Sequence, residues 1–368
     1  MRTLVLNAGS RTLKASLVID GSAVARAEVE GTGDGLGPLI ADLGDQRPPD
    51  AVAHRVVHGG ERFTAPVIAD DGVVVALRGL VPLAPLHMPP ALAVLDAARQ
   101  MFPDVAQVCC FDTAFHATLP ESEVRYPVPE VWSTAWGIRR YGFHGLSVAW
   151  SVRRAAELLD RPVEELRIVV AHLGGGCSVT AVAAGRSVRT SMGYTPLEGL
   201  MMGTRSGSID PGILMRLLGD GRLTVEELSD ALEHRSGLLG VSGTSADVRQ
   251  IVAAAAAGDA RAQLSLEMFA SRTAAGIASA ATAMPRLDAV VFTGGIGEHA
   301  GQLRAAVAAR LGVLGVAPIG DQDSGEDGVL GPIDRGPAVR GPAVLRVAAR
   351  EDLVMAEETQ RLVERRDQ

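Results

Sequence analysis

The chain has 368 residues with a formal charge of −8, and 47% of them are hydrophobic against 21% charged. That length suffices for two domains with cores of their own, and the acidic balance excludes the basic footprint of a nucleic-acid-binding protein. The opening MRTLVLNAGSRTLK turns polar too soon for a signal peptide, and no apolar run is long enough to span a membrane, so a cytoplasmic protein with no membrane partner is expected.

In chain order, residues 2–7 and 13–20 read as two strands of a hairpin with its polar Gly-Ser tip at 7–12. Residues 51–57 and 105–111 are strand-like apolar runs, and between them 89–101 has helical apolar spacing with prolines at its start. Residues 147–159 predict a helix, and 167–171 with 178–184 a second strand–turn–strand unit. Further on, Thr224-Val-Glu-Glu227 is a capping box that opens a helix to His234, and 259–284 is a long Ala-rich helix. A strand at 287–293 runs into GGIGEHA and a helix to Leu311. Residues 315–342, rich in Gly, Pro and Asp, predict an irregular excursion; a short strand at 344–347 and a charged helix at 351–365 close the chain. Strands alternating with helices imply an α/β architecture.

The two hairpins resemble each other. VLNAGSRTLKASLVIDG and VAHLGGGCSVTAVAAG share an apolar lead, a polar residue, a Gly-rich tip, an alternating return strand and a closing glycine. This suggests two similar α/β halves. Three glycine tips follow apolar strands, at 7–10, 172–176 and 293–297, and none has the Walker or GxGxxG pattern. Each is either a tight turn or a phosphate cradle. Lys14 is the only lysine among 35 basic residues and stands beside the first tip, where a compact ammonium suits phosphate.

Polar residues at other strand ends and loops offer more chemistry. Arg55 interrupts an apolar strand, as either a structural or a ligand-binding arginine. FDTAFH (111–116) puts Asp112 at the end of a strand, where it either caps a turn or reaches Mg²⁺. His144 in YGFHG and Arg205 in MGTRSGSIDP sit on glycine-rich loops; an arginine there has little structural work, which favours phosphate or carboxylate recognition. Glu351 and Asp352 open the last helix, as dipole partners or as a metal site. Cys109, Cys110 and Cys177 have neither disulfide nor metal-ligand spacing and read as buried reduced thiols.

VLNAGSRTLK, HRVVHGGE, PLHMPP, FDTAFH, YGFHG, MGYTPLEGLMMGTRSGSIDP, VFTGGIGE and REDLVMAEET stand in the order found in the acetate kinases, and the chain resembles that family from residue 3 to about 360. The resemblance implies an α/β fold of two ribonuclease-H-like (actin-like ATPase) domains around a central cleft. Residues 1–115 with 353–368 form one domain and 116–352 the other. It implies reversible, direct in-line transfer of the ATP γ-phosphoryl group to acetate, giving acetyl phosphate and ADP, by a cytoplasmic homodimer using Mg²⁺, for which Mn²⁺ substitutes.

Carried over by motif, Asn7, Ser10, Thr12 and Lys14 match the first phosphate loop, with Thr12 where serine is usual and Asn7 near the metal. Arg55 and Arg205 match the arginines that hold acetate and the moving phosphoryl group; His144 matches the histidine on that group, and His87 a supporting one. Asp112 and Glu351 match the acidic residues near the metal and the attacking carboxylate. Val57, Leu86, Phe143 and Pro196 match the acid-pocket wall. His172, Gly174, Gly175, Gly176, Asp247, Arg249, Gly295, Ile296 and His299 match the nucleotide site. Two departures stand out: Gly175 replaces the asparagine of HLGNG, and His299 replaces the asparagine after GIGE. A propionate or butyrate kinase is the runner-up, and a non-catalytic nucleotide sensor on the same fold a remote third.

Overall fold

The computed structural model describes residues 1–9, 12–30, 35–44, 47–321, 325–332 and 341–366. The chain divides into two compact units. One comprises Met1–Ala117, Phe143–Trp150 and Arg350–Gln368; the other comprises Thr118–Gly142 and Ser151–Ala349.

The first unit is built on strands β1 (Arg2–Ala8), β2 (Thr12–Ile19), β3 (Ser22–Glu30), β4 (Ala51–Val56), β5 (Val67–Ile68) and β6 (Ala106–Phe111), in the order β3-β2-β1-β4-β6-β5. β1 to β3 are an antiparallel meander, β1, β4 and β6 are parallel, and β5 is antiparallel to β6. Period-2 alternation decides which face each residue serves. Leu4 and Leu6 join Leu13, Leu36, Leu39, Val52 and Val94 on one side, under the helices Leu36–Asp42 and Met88–Met101. Val5 joins Ala53, Val108 and Cys110 on the other, where Val354, Met355 and Ala356 of the helix Glu351–Arg366 pack. With helices on both faces the central strands are mostly apolar and buried, as parallel strands require, and their polar residues, among them Asn7, His54, Arg55 and Gln107, are hydrogen-bonded.

The second unit repeats the plan with β7 (Arg167–Leu173), β8 (Cys177–Ala183), β9 (Arg186–Thr190), β10 (Ala289–Thr293), β11 (Gly328–Val329) and β12 (Ala343–Arg346), ordered β11-β12-β10-β7-β8-β9. Read from the other edge, this is the first sheet again: an antiparallel meander, three parallel strands and an antiparallel edge. The likeness of the two hairpins therefore extends to whole sheets.

Several elements were not expected from the sequence. β3 reads SAVARAEVE, an edge strand of alanines and charges that alternates between exposed and half-buried, and it lacks the β-branched runs that signal strands. The helix Asp71–Gly79 is set by Asp70, whose side chain accepts from the Val73 N–H at 2.7 Å. The helix Pro211–Gly219 starts after a capping Asp210, which accepts from the Gly212 N–H, and has no buried residue. The expected capping box holds: Thr224 and Glu227 exchange side-chain and backbone bonds at 2.8 and 3.2 Å. All three cysteines are buried and unbridged, and burial pushes the thiols of Cys109 and Cys177 up to about 12. No helix among the described residues is long and apolar enough to cross a membrane.

Candidate active site

In open α/β sheets, functional residues collect at the carboxyl ends of parallel strands. In the first unit Asn7 lies near the end of β1, Arg55 near the end of β4, and Asp112 directly after β6. These side chains meet. Arg55 grips Asp112 as a fork, Nη2 to Oδ2 at 2.6 Å and Nε to Oδ1 at 3.1 Å, and its Nη1 donates to Asn7 Oδ1 at 3.1 Å. Glu351, the first residue of the last helix, accepts from Asn7 Nδ2 at 3.2 Å and lies 3.8 Å from Arg55 Nε. Asp112 is fully buried. The carboxylate that was expected either to cap a turn or to reach a metal is thus committed to an arginine.

This cluster is electrostatically unbalanced. One guanidinium faces the buried Asp112 and the half-buried Glu351, with Asp352 close by and itself held by Arg350 and Arg26. Burial raises the Glu351 carboxyl above its ordinary range; Arg55 opposes this, and Asp112 and Asp352 add to it. Burial alone would lower Arg55, but Asp112 and Glu351 outweigh it and push the guanidinium up. With Asp112 committed to Arg55, the donors left are oxygens, the Glu351 carboxylate and the Asn7 amide, in a cluster with an excess of negative charge. Hard cations such as Mg²⁺ take such ligands, often only one or two from protein and the rest from phosphate and water. Among the described residues no group of three or more His, Cys, Asp and Glu side chains forms a self-sufficient metal cage.

His144 adjoins this cluster through the backbone. The Gly145 N–H donates to the Asp112 carbonyl at 2.8 Å, and a Cβ at Gly145 would come within 2.3 Å of that oxygen, so only glycine fits after His144. His144 itself has φ of +62°. A left-handed non-glycine residue carries a cost on the order of 1–3 kcal/mol, and such strain concentrates at functional sites. The preceding residue is held as well: His116 Nε2 donates to the Phe143 carbonyl at 2.9 Å, and the buried His58 ring packs edge-on against the Phe143 ring at 5.5 Å. Of the expected acid wall, Val57 and Phe143 are buried in this unit and Leu86 is exposed. His87 precedes the helix Met88–Met101 without capping it through its side chain. Lys14, in register with Asn7, is exposed and pairs with Glu28 at 3.4 Å. Thr12 opens β2, half-buried. Ser10 lies outside the described residues.

The second unit gathers another set at its own strand ends. His172 sits near the end of β7, and Gly174–Gly176 form the turn into β8, with the Gly174 N–H on the Gly176 carbonyl at 3.0 Å. None of the three glycines has a positive φ, and a Cβ at Gly175 would meet nothing within 4 Å. Backbone conformation therefore does not demand glycine here, which weakens the reading of a mere tight turn. A Cβ at Gly174 would lie 3.6 Å from His172 Nε2 and 3.9 Å from the Gly295 N–H, so the β7 and β10 tips are neighbours. One at Gly203 would lie 3.9 Å from the Gly175 carbonyl and 3.7 Å from Ala246, which precedes Asp247. Gly295 is exposed, Ile296 is half-buried, and His299 ends their short helix exposed. Asp247 caps the helix Val248–Ala256 and binds Arg249 at 2.7 Å, a bond that lowers its carboxyl.

Arg205 departs from expectation. It was expected to have little structural work, yet its Nε is 2.9 Å from Glu233 and its Nη1 3.5 Å from the Pro196 carbonyl. Glu233, on the helix Val225–His234, is brought to this loop arginine by the fold, and local composition carries no trace of it. Sequence reasoning also missed Glu298 and Arg304. Glu298 accepts from the Ala349 N–H at 3.0 Å, two residues before Glu351. The buried Arg304 donates to the carbonyls of Gly297 and Glu298 at 2.8 and 2.7 Å, closing the end of the Gly294–His299 helix. Glu298 stood inside the GGIGE motif; Arg304 had no sequence signal.

Comparison with known proteins gives these residues a setting. Residues 42–356 match the family model described as the acetokinase family. An acetate kinase of Deinococcus radiodurans is 44% identical over 389 aligned positions, covering 98% of this chain and 97% of that one. Among solved structures, an acetate kinase of Porphyromonas gingivalis matches at a TM-score of 0.89 and 32% identity, over 98% and 99% of the two chains. A propionate kinase of Francisella tularensis matches at 0.89 and 34%, over 97% and 98%. The two repeated sheets are accordingly the two ribonuclease-H-like domains of the actin-like ATPase fold. The chain belongs to the acetokinase family.

Proposed function

We propose that this chain is an acetate kinase, transferring the γ-phosphoryl group of ATP directly and reversibly to acetate to give ADP and acetyl phosphate. The observation that carries the reading furthest is the Asn7–Arg55–Asp112–Glu351 cluster, buried charge arranged at the carboxyl ends of parallel strands. Acetate is ionised at neutral pH, so the nucleophile needs no general base. What the reaction needs is positioning and relief of repulsion between anions. Arg55, with its fork fixed by Asp112, and Arg205, fixed by Glu233, are held rigid enough to do both. His144, strained and tied to Asp112 through Gly145, is assigned to the transferring phosphoryl group. Val57, Leu86, Phe143 and Pro196 are assigned to the methyl side of the acid.

The nucleotide is assigned to Asn7, Ser10, Thr12, Lys14, His172 and Gly174–Gly176 at its phosphates, and to Asp247, Arg249, Gly295, Ile296 and His299 at adenosine. Glu351 and Asn7 would hold Mg²⁺, which would neutralise phosphate charge when bound. The reading extends to a cytoplasmic homodimer. Support for self-association comes from the helix Pro211–Gly219, which leaves Ile213, Met215 and Leu218 exposed and buries no residue.

The test is steady-state kinetics with ATP and acetate, propionate and butyrate. One methylene in a small apolar pocket is worth about 1–3 kcal/mol, so kcat/KM should fall from acetate to propionate to butyrate. A preference for propionate would move the assignment to a propionate kinase, and no acid-dependent turnover would remove it.

A further inference from the structure

The segment from Ser191 to Gly199 carries Pro196, assigned above to the acid, and its Pro196 carbonyl is the one that meets Arg205. Packing alone does not fix it. Ser191, Glu198, Gly199 and Leu200 line a cavity of about 530 Å³, together with Arg140 and Arg272, so one side of the segment lacks close-packed neighbours.

Polar groups hold it instead. Arg140 Nη1 donates to the carbonyls of Ser191 at 3.2 Å and Met192 at 2.9 Å, and its Nη2 to Glu198 Oε1 at 2.7 Å. The Tyr126 hydroxyl donates to Glu198 Oε2 and accepts from the Tyr194 N–H at 2.8 Å. The Arg140 guanidinium lies 5.2 Å over the Tyr126 ring. Burial keeps the phenol protonated by raising its pKa, so it remains the donor. Gly193 rests directly on this junction: a Cβ there would fall 1.7 Å from Glu198 Oε2 and 2.0 Å from the Tyr126 oxygen. Its carbonyl accepts from the N–H groups of Tyr141 and Gly142, at 3.1 and 3.3 Å. Five residues of the segment, Glu198 among them, are thereby anchored to the side chains of Arg140 and Tyr126 and to the stretch leading into Phe143 and His144.

We propose that Tyr126, Arg140 and Glu198 are positioning residues for the acid substrate, fixing the Ser191–Gly199 segment so that Pro196 and Arg205 present one rigid surface to the carboxylic acid. None of the three is assigned a contact with substrate; they act through the backbone they hold. The proposal rests on the acid-kinase reading. That reading fails separately, if the unmodified chain shows no acid-dependent turnover.

The experiment measures KM for acetate and for ATP, and the acetate-to-propionate ratio of kcat/KM, in the unmodified chain, Glu198→Gln, Arg140→Lys and Tyr126→Phe. Glu198→Gln keeps the shape but removes the charge on which Arg140 closes; Tyr126→Phe deletes one oxygen and is the variant most certain to fold. The expected result in Tyr126→Phe and Glu198→Gln is a 5- to 20-fold rise in acetate KM with ATP KM within about two-fold. The acetate preference should also shrink several-fold, because a loosened wall discriminates less. Arg140→Lys, which retains charge without the fork, should rescue little. An unchanged acetate KM and acid ratio in Tyr126→Phe, or an equal loss for acetate and ATP, would overturn the proposal by reducing the three residues to general scaffolding.

Discussion

Arg205 is bound on both sides, by Glu233 and by the Pro196 carbonyl, before any substrate is considered. Its replacement therefore has two consequences. Arg205→Ala should lower turnover with acetate by about 10²–10³, the usual effect of removing one preorganised stabiliser. It should also lower thermal stability, because Glu233 is left half-buried without its ion pair. Turnover within ten-fold of the parent in a folded variant would contradict the role. Gly175 is the counter-case, a position where the structure leaves room. With no positive φ and open space at its Cβ, Gly175→Asn should fold normally. An added hydrogen bond to a charged group is worth about 1.5–3 kcal/mol at best, so the Michaelis constant for ATP should fall several-fold. An unchanged ATP constant would mean that the Gly174–Gly176 turn does not approach the nucleotide. At this scale, the sequence marks Arg55, Asp112, His144 and Arg205 as polar residues in unusual places. It does not reveal that Arg55 and Asp112 hold each other, or that Glu233 waits for Arg205, because those partners are brought together only by strand order and helix packing.

Element by element, the chain is legible where local pattern and tertiary role agree. The two hairpins, the capping box at Thr224 and the buried runs of β4, β6, β7 and β10 all carry their signature in the sequence. The edge strand β3 does not, for want of a run of β-branched residues, and the helix Pro211–Gly219, though apolar in sequence, buries none of its residues. β4 illustrates how one strand serves two ends. Arg55 joins the charged cluster, while the adjacent His54 is buried and donates from Nε2 to Gln107 Oε1 at 2.8 Å. Burial lowers His54 to about 4, the Gln107 bond opposing it, and likewise lowers His116 to about 4. Both are neutral when folded and titrate near 6.5 when unfolded. Between those values the unfolded chain binds more protons, so the stability they contribute is complete above pH 6.5 and is lost as pH falls toward 4. By pH 5 each should cost on the order of 2 kcal/mol. Urea unfolding of the parent should show this loss between pH 7 and pH 5, and His54→Asn should show a smaller one. Equal losses in the two proteins would contradict the assignment of a buried neutral imidazole.

For the whole molecule, duplication is the organising fact: one sheet plan occurs twice, and each copy sets candidate site residues at the carboxyl ends of its parallel strands. The sequence hints at this only through two matching hairpins, because the remaining strands of the two sheets share a pattern of burial and only isolated residues such as the opening Ala-Val of β4 and β10. Self-association belongs to the same scale. Ile213→Glu on the exposed face of the helix Pro211–Gly219 should shift the protein toward monomer in sedimentation velocity, if that face is buried between copies. An unchanged sedimentation coefficient would place any interface elsewhere.

The central claim is that the chain moves a phosphoryl group directly from ATP to a small carboxylate, with no phosphorylated side chain on the way. ATP made chiral at its γ-phosphorus by isotopic oxygen and sulfur tests this most directly. A single in-line displacement inverts configuration, whereas two successive displacements restore it. The account predicts acetyl phosphate formed with inverted configuration at phosphorus. Retention, or no acyl phosphate at all, would contradict it.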